Sequence, residues 1–306
     1  MSSPTSTPSL PTTSVDPTLE AFWSDPEVAQ RYLNAENATR PMARALIQKT
    51  DLATRKDKSN IFDLATGTGA AVQEIYDAVP KEKWGDINVL GGDVSQGMLS
   101  YLDARGKSNG WTGLRTQIVD GNNLQELVDK EERFTHTICT FAIFILPTAL
   151  PHLHTLTLPG GFIGLTTWTH LPWYPIVARS ISLMPAPQPP CPSAAEVQAR
   201  LMSNRAWGEE GFVAEQLREA GFVEVQTDVK RAVAKVGTPK VYMASMQFPL
   251  GILRGMWEEV GEEQKDEWMK VLNEVMYKEV VEMVGGEDGV AELEFEAVVA
   301  WGRKGE

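Results

Sequence analysis

Apolar and polar positions alternate along the chain in two periods, and the switches between them mark the elements. Ile61, Phe62 and Leu64 form a short apolar run that predicts a buried parallel strand. Val72, Ile75, Tyr76 and Val79 follow at helical spacing. The same order recurs. Ile87, Val89 and Leu90 predict a second strand over 86–94, and Met98, Tyr101 and Leu102 predict a helix capped by Ser95. Further strands are predicted over 114–119, over 134–146 with its exit, and over 162–168 after the turn residues Pro159-Gly160-Gly161. Two helices precede the first strand, one over 20–32 and one starting near Pro41. A Pro-rich connector over 184–192 leads to helices over 194–202 and 211–220, the second stopped by Gly221. Strict alternation predicts strands over 222–236 and 291–301. Between them, 238–289 reads as a helical insert, with Trp268, Val271, Leu272 and Val275 as its apolar stripe. Strands alternating with helices predict an α/β fold with a doubly wound, mainly parallel sheet.

The stretch over 60–70 carries the chemistry. An acid closes the strand, then Gly67 and Gly69 permit a tight turn that a ligand can approach closely. The following helix offers free N–H groups and a partial positive charge. A dinucleotide site needs glycines at G-x-G-x-x-G, and the third would fall at Val72. The alternative is acid-x-G-x-G-x-G, here Asp63-x-Ala65-x-Gly67-x-Gly69. That run resembles motif I of class I S-adenosylmethionine (SAM)-dependent methyltransferases. Ala65 departs from the usual glycine and is tolerable there only at negative φ.

Two later strand ends strengthen the resemblance. Asp93 closes the second strand, where ligands of open α/β sheets bind, followed by Val94 and Met98. Asp120-Gly121-Asn122 closes the third. In the family, such acids accept from the ribose hydroxyls and the adenine amino group, and an apolar residue at Met98 lies on the adenine. The resemblance also implies contacts from Thr66 and from Thr140 and Phe141 at the fourth strand's exit. Tyr32, on an N-terminal lid over 20–55, is expected to reach the methionine end of SAM. Leu158-Pro159-Gly160-Gly161 resembles the family's entry to its fifth strand. The implied fold is a Rossmann-like seven-stranded sheet whose last strand is antiparallel. The resemblance runs from about Asp25 to the C-terminus and is closest to fungal small-molecule methyltransferases of secondary metabolism, including the gliotoxin type that methylates thiols or amines.

An acceptor pocket is expected from Ala142, Trp168, Trp173 and Tyr174, whose rings give apolar walls with polar tips. His170 lies among them as a candidate general base for a hydroxyl acceptor; packing beside tryptophan is the plainer reading. His152 and His154 read as surface or packing residues. Position 98 reads equally as core filling, and the insert reads as a roof, a dimer surface or simple packing.

Composition narrows the partners. A net charge of −13 disfavours a nucleic-acid partner, which draws on clustered Lys and Arg. Two cysteines, Cys139 and Cys191, give neither a disulfide framework nor a metal pattern. No apolar run is long enough to span a membrane. Residues 1–19 are rich in Ser, Thr and Pro and are expected to be a disordered tail. The expectation is therefore a cytoplasmic, metal-free enzyme, with a homodimer possible. It would move a methyl group from SAM to a thiol, amine or hydroxyl of a small molecule, releasing S-adenosylhomocysteine. Three alternatives stand beside it: an NAD-dependent oxidoreductase, a SAM-type fold that catalyses a pericyclic or dehydration reaction, and a regulatory binding partner.

Overall fold

In the computed structural model, which describes residues 28–146 and 148–306, strand β1 (Ser59–Leu64) stands inside a seven-stranded sheet. The other strands are β2 (Ile87–Asp93), β3 (Leu114–Ile118), β4 (Phe134–Thr140), β5 (Thr157–Trp168), β6 (Phe222–Gly237) and β7 (Ala291–Lys304). Their spatial order is β3-β2-β1-β4-β5-β7-β6. The first five strands pair in parallel, and β7 runs antiparallel to both β5 and β6. This is the Rossmann-like, mainly parallel sheet with one reversed last strand that the sequence predicts. Order reverses at β1, which places a crevice above the carboxyl ends of β1, β2 and β4.

The alternation within β1 explains the two cores. Ile61 joins Val72, Ile75, Val89 and Ile138 on one face, packed under α2 (Glu36–Ile47) and α3 (Ala70–Ala78). Phe62 and Leu64 join Leu90, Cys139, Ile163 and Leu165 on the other. Burying both faces is what makes these strands apolar throughout. A fully buried Leu or Phe contributes roughly 1.5–3 kcal/mol.

Several boundaries differ from expectation. The expected tail over 1–19 and helix residues 20–27 lie outside the described residues; the helix is seen as α1 (Val28–Tyr32). α2 begins at Glu36, with Pro41 inside it, and not near Pro41. Tertiary contacts fix that earlier start. Asn34 and Asn37 donate side-chain N–H groups to the carbonyls of Val236 and Lys235 on β6. Glu36 is ion-paired with Arg105 of α4 (Gln96–Asn109) at 2.7 Å. β5 begins at Thr157, so the Pro159-Gly160-Gly161 segment is a bulged part of the strand and not a turn before it. Ser95 accepts from the Met98 N–H and caps α4 as predicted.

α5 (Gln125–Asp129) and α6 (Ala149–Leu156) flank β4 in the chain. α7 (Tyr174–Ser182) opens with Pro175 in its first turn, where a missing N–H costs nothing. α8 (Ala194–Leu201) starts on a capping box between Ser193 and Glu196. α9 (Glu210–Glu219) leads into β6. The insert holds α10 (Pro239–Ser245), α11 (Gln247–Gly255) and α12 (Glu262–Val284). Leu272, Met276 and Val280 of α12 are buried, and the helix packs on α7. Among the described residues, no helix is long and apolar enough to cross a membrane.

Candidate functional site

One cavity of about 1150 Å³ opens above the carboxyl ends of β1, β2, β4 and β5. Single ligand pockets run to about 1000 Å³, so this one has room for a cofactor and an acceptor together. Sixteen of the nineteen sequence-predicted site residues line it. They are Tyr32, Ala65, Thr66, Gly67, Asp93, Val94, Met98, Asp120, Gly121, Asn122, Thr140, Phe141, Ala142, Trp168, His170 and Trp173.

Asp93 and Gly67 join the two central strand ends. The Gly67 N–H donates to Asp93 Oδ2 at 2.8 Å, and the Ser95 N–H donates to Oδ1 at 2.9 Å. Asp93 is only 8% exposed. Burial pushes its pKa up, against the pull of these backbone donors. The Val94 N–H is a third backbone donor to this carboxylate. Gly67 sits at φ 55°, and a Cβ there would meet no atom within 4 Å, so its backbone faces open cavity. Asp120 makes a local turn, accepting from the Asn122 N–H at 2.9 Å.

Three predicted residues stand off the wall. Asp63 is fully buried beneath the glycine turn, accepts from the Thr66 hydroxyl at 2.6 Å, and leaves Oδ1 without a partner. Alternation along β1 puts its side chain on the face that carries Ile61, which is covered by helices. Burial, with Asp93 nearby, pushes its pKa up to about 7. Gly69 caps α3 at φ 89°, with Leu102 filling the space where a Cβ would go, so its role is helix packing. Tyr174 is turned away from the cavity and donates its hydroxyl to the Pro192 carbonyl. The start of α7 sets that direction.

One further expectation is corrected. Ala65 takes φ 55°, the left-handed region, and not the negative φ that would make alanine harmless. Phe141 sits at φ 57° with its ring stacked on Trp168, centroids 3.8 Å apart. Strained non-glycine residues gather where surrounding structure over-determines the backbone. Here they end two adjacent parallel strands, and both line the cavity. Tyr32, expected to reach the methionine end of SAM, lines the cavity, packs beside Met98 and lies near Asp93. Burial and the carboxylates of Asp93 and Glu36 push its phenol up to about 12. α1 rests on α4, which carries Met98.

The rest of the wall is where sequence reasoning was silent. Tyr242 and Ser245 from α10, and Phe248 and Ile252 from α11, come down on it, joined by Leu293 and Phe295 from β7. The insert is therefore a roof over the site, the first of the three roles left open. Its apolar residues were visible in sequence; the fold-back that aims them was not. His170 is exposed on the rim, with Nδ1 3.0 Å from the Thr169 hydroxyl. Asp93 and Asp120 are the carboxylates among the lining residues.

The residues fit an adenosyl group. A buried acid, an open glycine backbone and an apolar Met98 line one space at the switch point.

No family model matches the chain. Methyltransferase tpcH of Aspergillus fumigatus is 25% identical over 290 residues, spanning 94% of this chain and 99% of its own. Methyltransferase ktnA of Aspergillus niger is 24% identical over 299 residues, spanning 90% and 95%. The acetylaranotin bis-thiomethyltransferase of Aspergillus terreus is 25% identical over 281 residues, spanning 91% and 94%. Among solved structures, phosphoethanolamine N-methyltransferase 2 of Haemonchus contortus, bound to S-adenosyl-L-methionine, shares the fold. It has a TM-score of 0.53 at 10% identity, over 97% of this chain and 62% of that one.

Proposed function

We infer that this chain is a class I SAM-dependent methyltransferase acting on a small molecule, of the kind found in fungal secondary metabolism. Relatives named as methyltransferases match it over nearly their whole length, one of them a thiomethyltransferase. The observation that carries the reading is the Asp93–Gly67 tie. It brings a carboxylate and an exposed glycine backbone to one floor, in a cavity large enough for two molecules.

Asp93 and the Gly67 turn would hold the ribose and the chain beyond it, with Met98 and Asp120 at the adenine. Bound SAM supplies a methyl group on a sulfonium, which an acceptor's thiol, amine or hydroxyl takes up, leaving S-adenosylhomocysteine. The protein's task is orientation, which alone lowers barriers by several kcal/mol, up to about 7–11. Phe141 and Trp168 form the wall between the two halves, and the roof over them excludes water. A thiolate or neutral amine needs no base. For a hydroxyl acceptor, His170 on the rim takes the proton.

Calorimetric titration with SAM and with NADH tests the cofactor: SAM binds and NADH does not. Incubation with SAM and a fungal metabolite extract should release S-adenosylhomocysteine and give products heavier by CH2. SAM binding without any such product would refute the transfer reading, and NADH binding in place of SAM would refute the cofactor.

A further inference from the structure

Among the described residues, Arg200 is the only lysine or arginine that lines the cavity. It is an exposed residue on α8, and the fold fixes where that helix stands. Gln198, two positions earlier, donates its side-chain amide to the Thr169 carbonyl at 2.8 Å, just past the end of β5. Ser203, just beyond the helix, donates its hydroxyl to the Phe144 carbonyl at 2.8 Å, just past β4. Ser203 and Asn204 both line the cavity and take φ 52° and 56°, a left-handed pair without glycine. Such a pair persists where the surroundings over-determine the backbone, and here the Asn204 N–H closes the turn onto the Ala199 carbonyl at 2.7 Å. Arg200 is thus anchored beside the ends of β4 and β5. Asp93 and Asp120 end β2 and follow β3, so the carboxylates and the guanidinium of the lining lie on opposite sides of β1. We propose that Arg200 is a specificity-determining residue that binds a carboxylate of the acceptor.

A guanidinium presents a planar fork of N–H groups that matches a carboxylate with two parallel hydrogen bonds. One arginine suits one negative charge. The chain carries 41 acidic and 28 basic residues, so this arginine is not part of a general basic surplus. Acids on one side of β1 and a cation on the other also orient an anionic acceptor, since the wrong orientation sets like charges together. The cofactor's own amino-acid carboxylate has the same chemistry. The Gly67 turn and the first N–H groups of α3, where Ala70 lines the cavity, offer that carboxylate a place of its own. The proposal rests on the methyltransferase reading, which supplies the acceptor.

The test uses the full chain saturated with S-adenosylhomocysteine, and two probes of one shape, 2-naphthoate and 2-naphthamide. Their flat rings suit the stacked Phe141–Trp168 wall. Equilibrium dialysis gives each affinity for the wild type, for Arg200→Gln and for Arg218→Gln. Arg218 is exposed on α9 and does not line the cavity, so its loss removes the same charge elsewhere. The preference for 2-naphthoate over 2-naphthamide should fall by about fivefold in Arg200→Gln, the upper end for an exposed ion pair. It should stay level in Arg218→Gln. An unchanged preference in Arg200→Gln would overturn the assignment. So would an equal fall in Arg218→Gln, and so would failure of 2-naphthoate to bind the wild type. Calorimetry without a probe should give Arg200→Gln the wild-type affinity for S-adenosylhomocysteine, with the melting temperature level. A loss of about fivefold there would hand Arg200 to the cofactor's carboxylate and overturn its role toward the acceptor. If S-adenosylhomocysteine fails to bind the wild type, the methyltransferase reading fails first, and separately.

Discussion

Asp63→Asn should make the protein's stability less sensitive to pH, and the size of the effect follows from the burial of one carboxyl. The folded state holds the Asp63 proton up to about pH 7, whereas an exposed aspartate releases it near 3.8. Between those values the unfolded chain is ionised and the folded one is not. Stability therefore falls as pH rises through that window and levels off above it. At about 1.4 kcal/mol per unit, ionised Asp63 costs the fold up to about 4 kcal/mol in mildly alkaline buffer. Asparagine removes the ionisation and still accepts from the Thr66 hydroxyl. Its amide brings buried donors without partners, at a cost of about 1–3 kcal/mol. The variant should thus exceed the wild type by about 1–3 kcal/mol at about pH 8, and lose roughly 2–3 kcal/mol of that advantage by about pH 5. Urea unfolding followed by circular dichroism at both pH values measures the difference directly. A gap between variant and wild type that is the same at both would refute a buried, proton-holding Asp63.

Asp93→Asn should weaken SAM binding by about 1–3 kcal/mol, because a charged acceptor becomes a neutral one; calorimetry showing unchanged affinity would remove Asp93 from the ribose. Ala65→Gly should raise stability by about 0.5–1 kcal/mol, since relief of a left-handed alanine outweighs glycine's extra unfolded-state entropy. A fall in melting temperature would contradict the φ of 55° seen at Ala65. Arg105→Ala leaves the Glu36 carboxylate buried without its partner and removes the 3.0 Å hydrogen bond to the Thr68 carbonyl. The expected loss is about 3 kcal/mol, read as an earlier urea midpoint; a change within error would mean the pair is too solvated to matter.

The succession of strands and helices, the turn at Gly67 and the acids at three strand ends were all legible in the sequence. Each is written in neighbouring residues: a strand's apolar run, the acid that closes it, the small residues that let the chain turn. Parallel pairing then carries those strand ends to one edge of the sheet, so local signals converge on one place. Other features depend on residues far apart in the chain. Pro41 lies inside a helix because Asn34 and Asn37 bond to β6 some two hundred positions later. Asp63 and Asp93 have similar settings in sequence, yet one is sealed under the turn and the other faces the cavity. Whether Ala65 takes the left-handed backbone is likewise set by what surrounds it. The roof is the plainest case, since the periodicity of 238–289 gives helices with an apolar stripe and nothing about where they dock. Sequence thus determined the floor of the cavity, because local order and strand pairing build it. Tertiary packing alone decided the roof of the cavity, because its helices meet the strand ends only when the chain is folded.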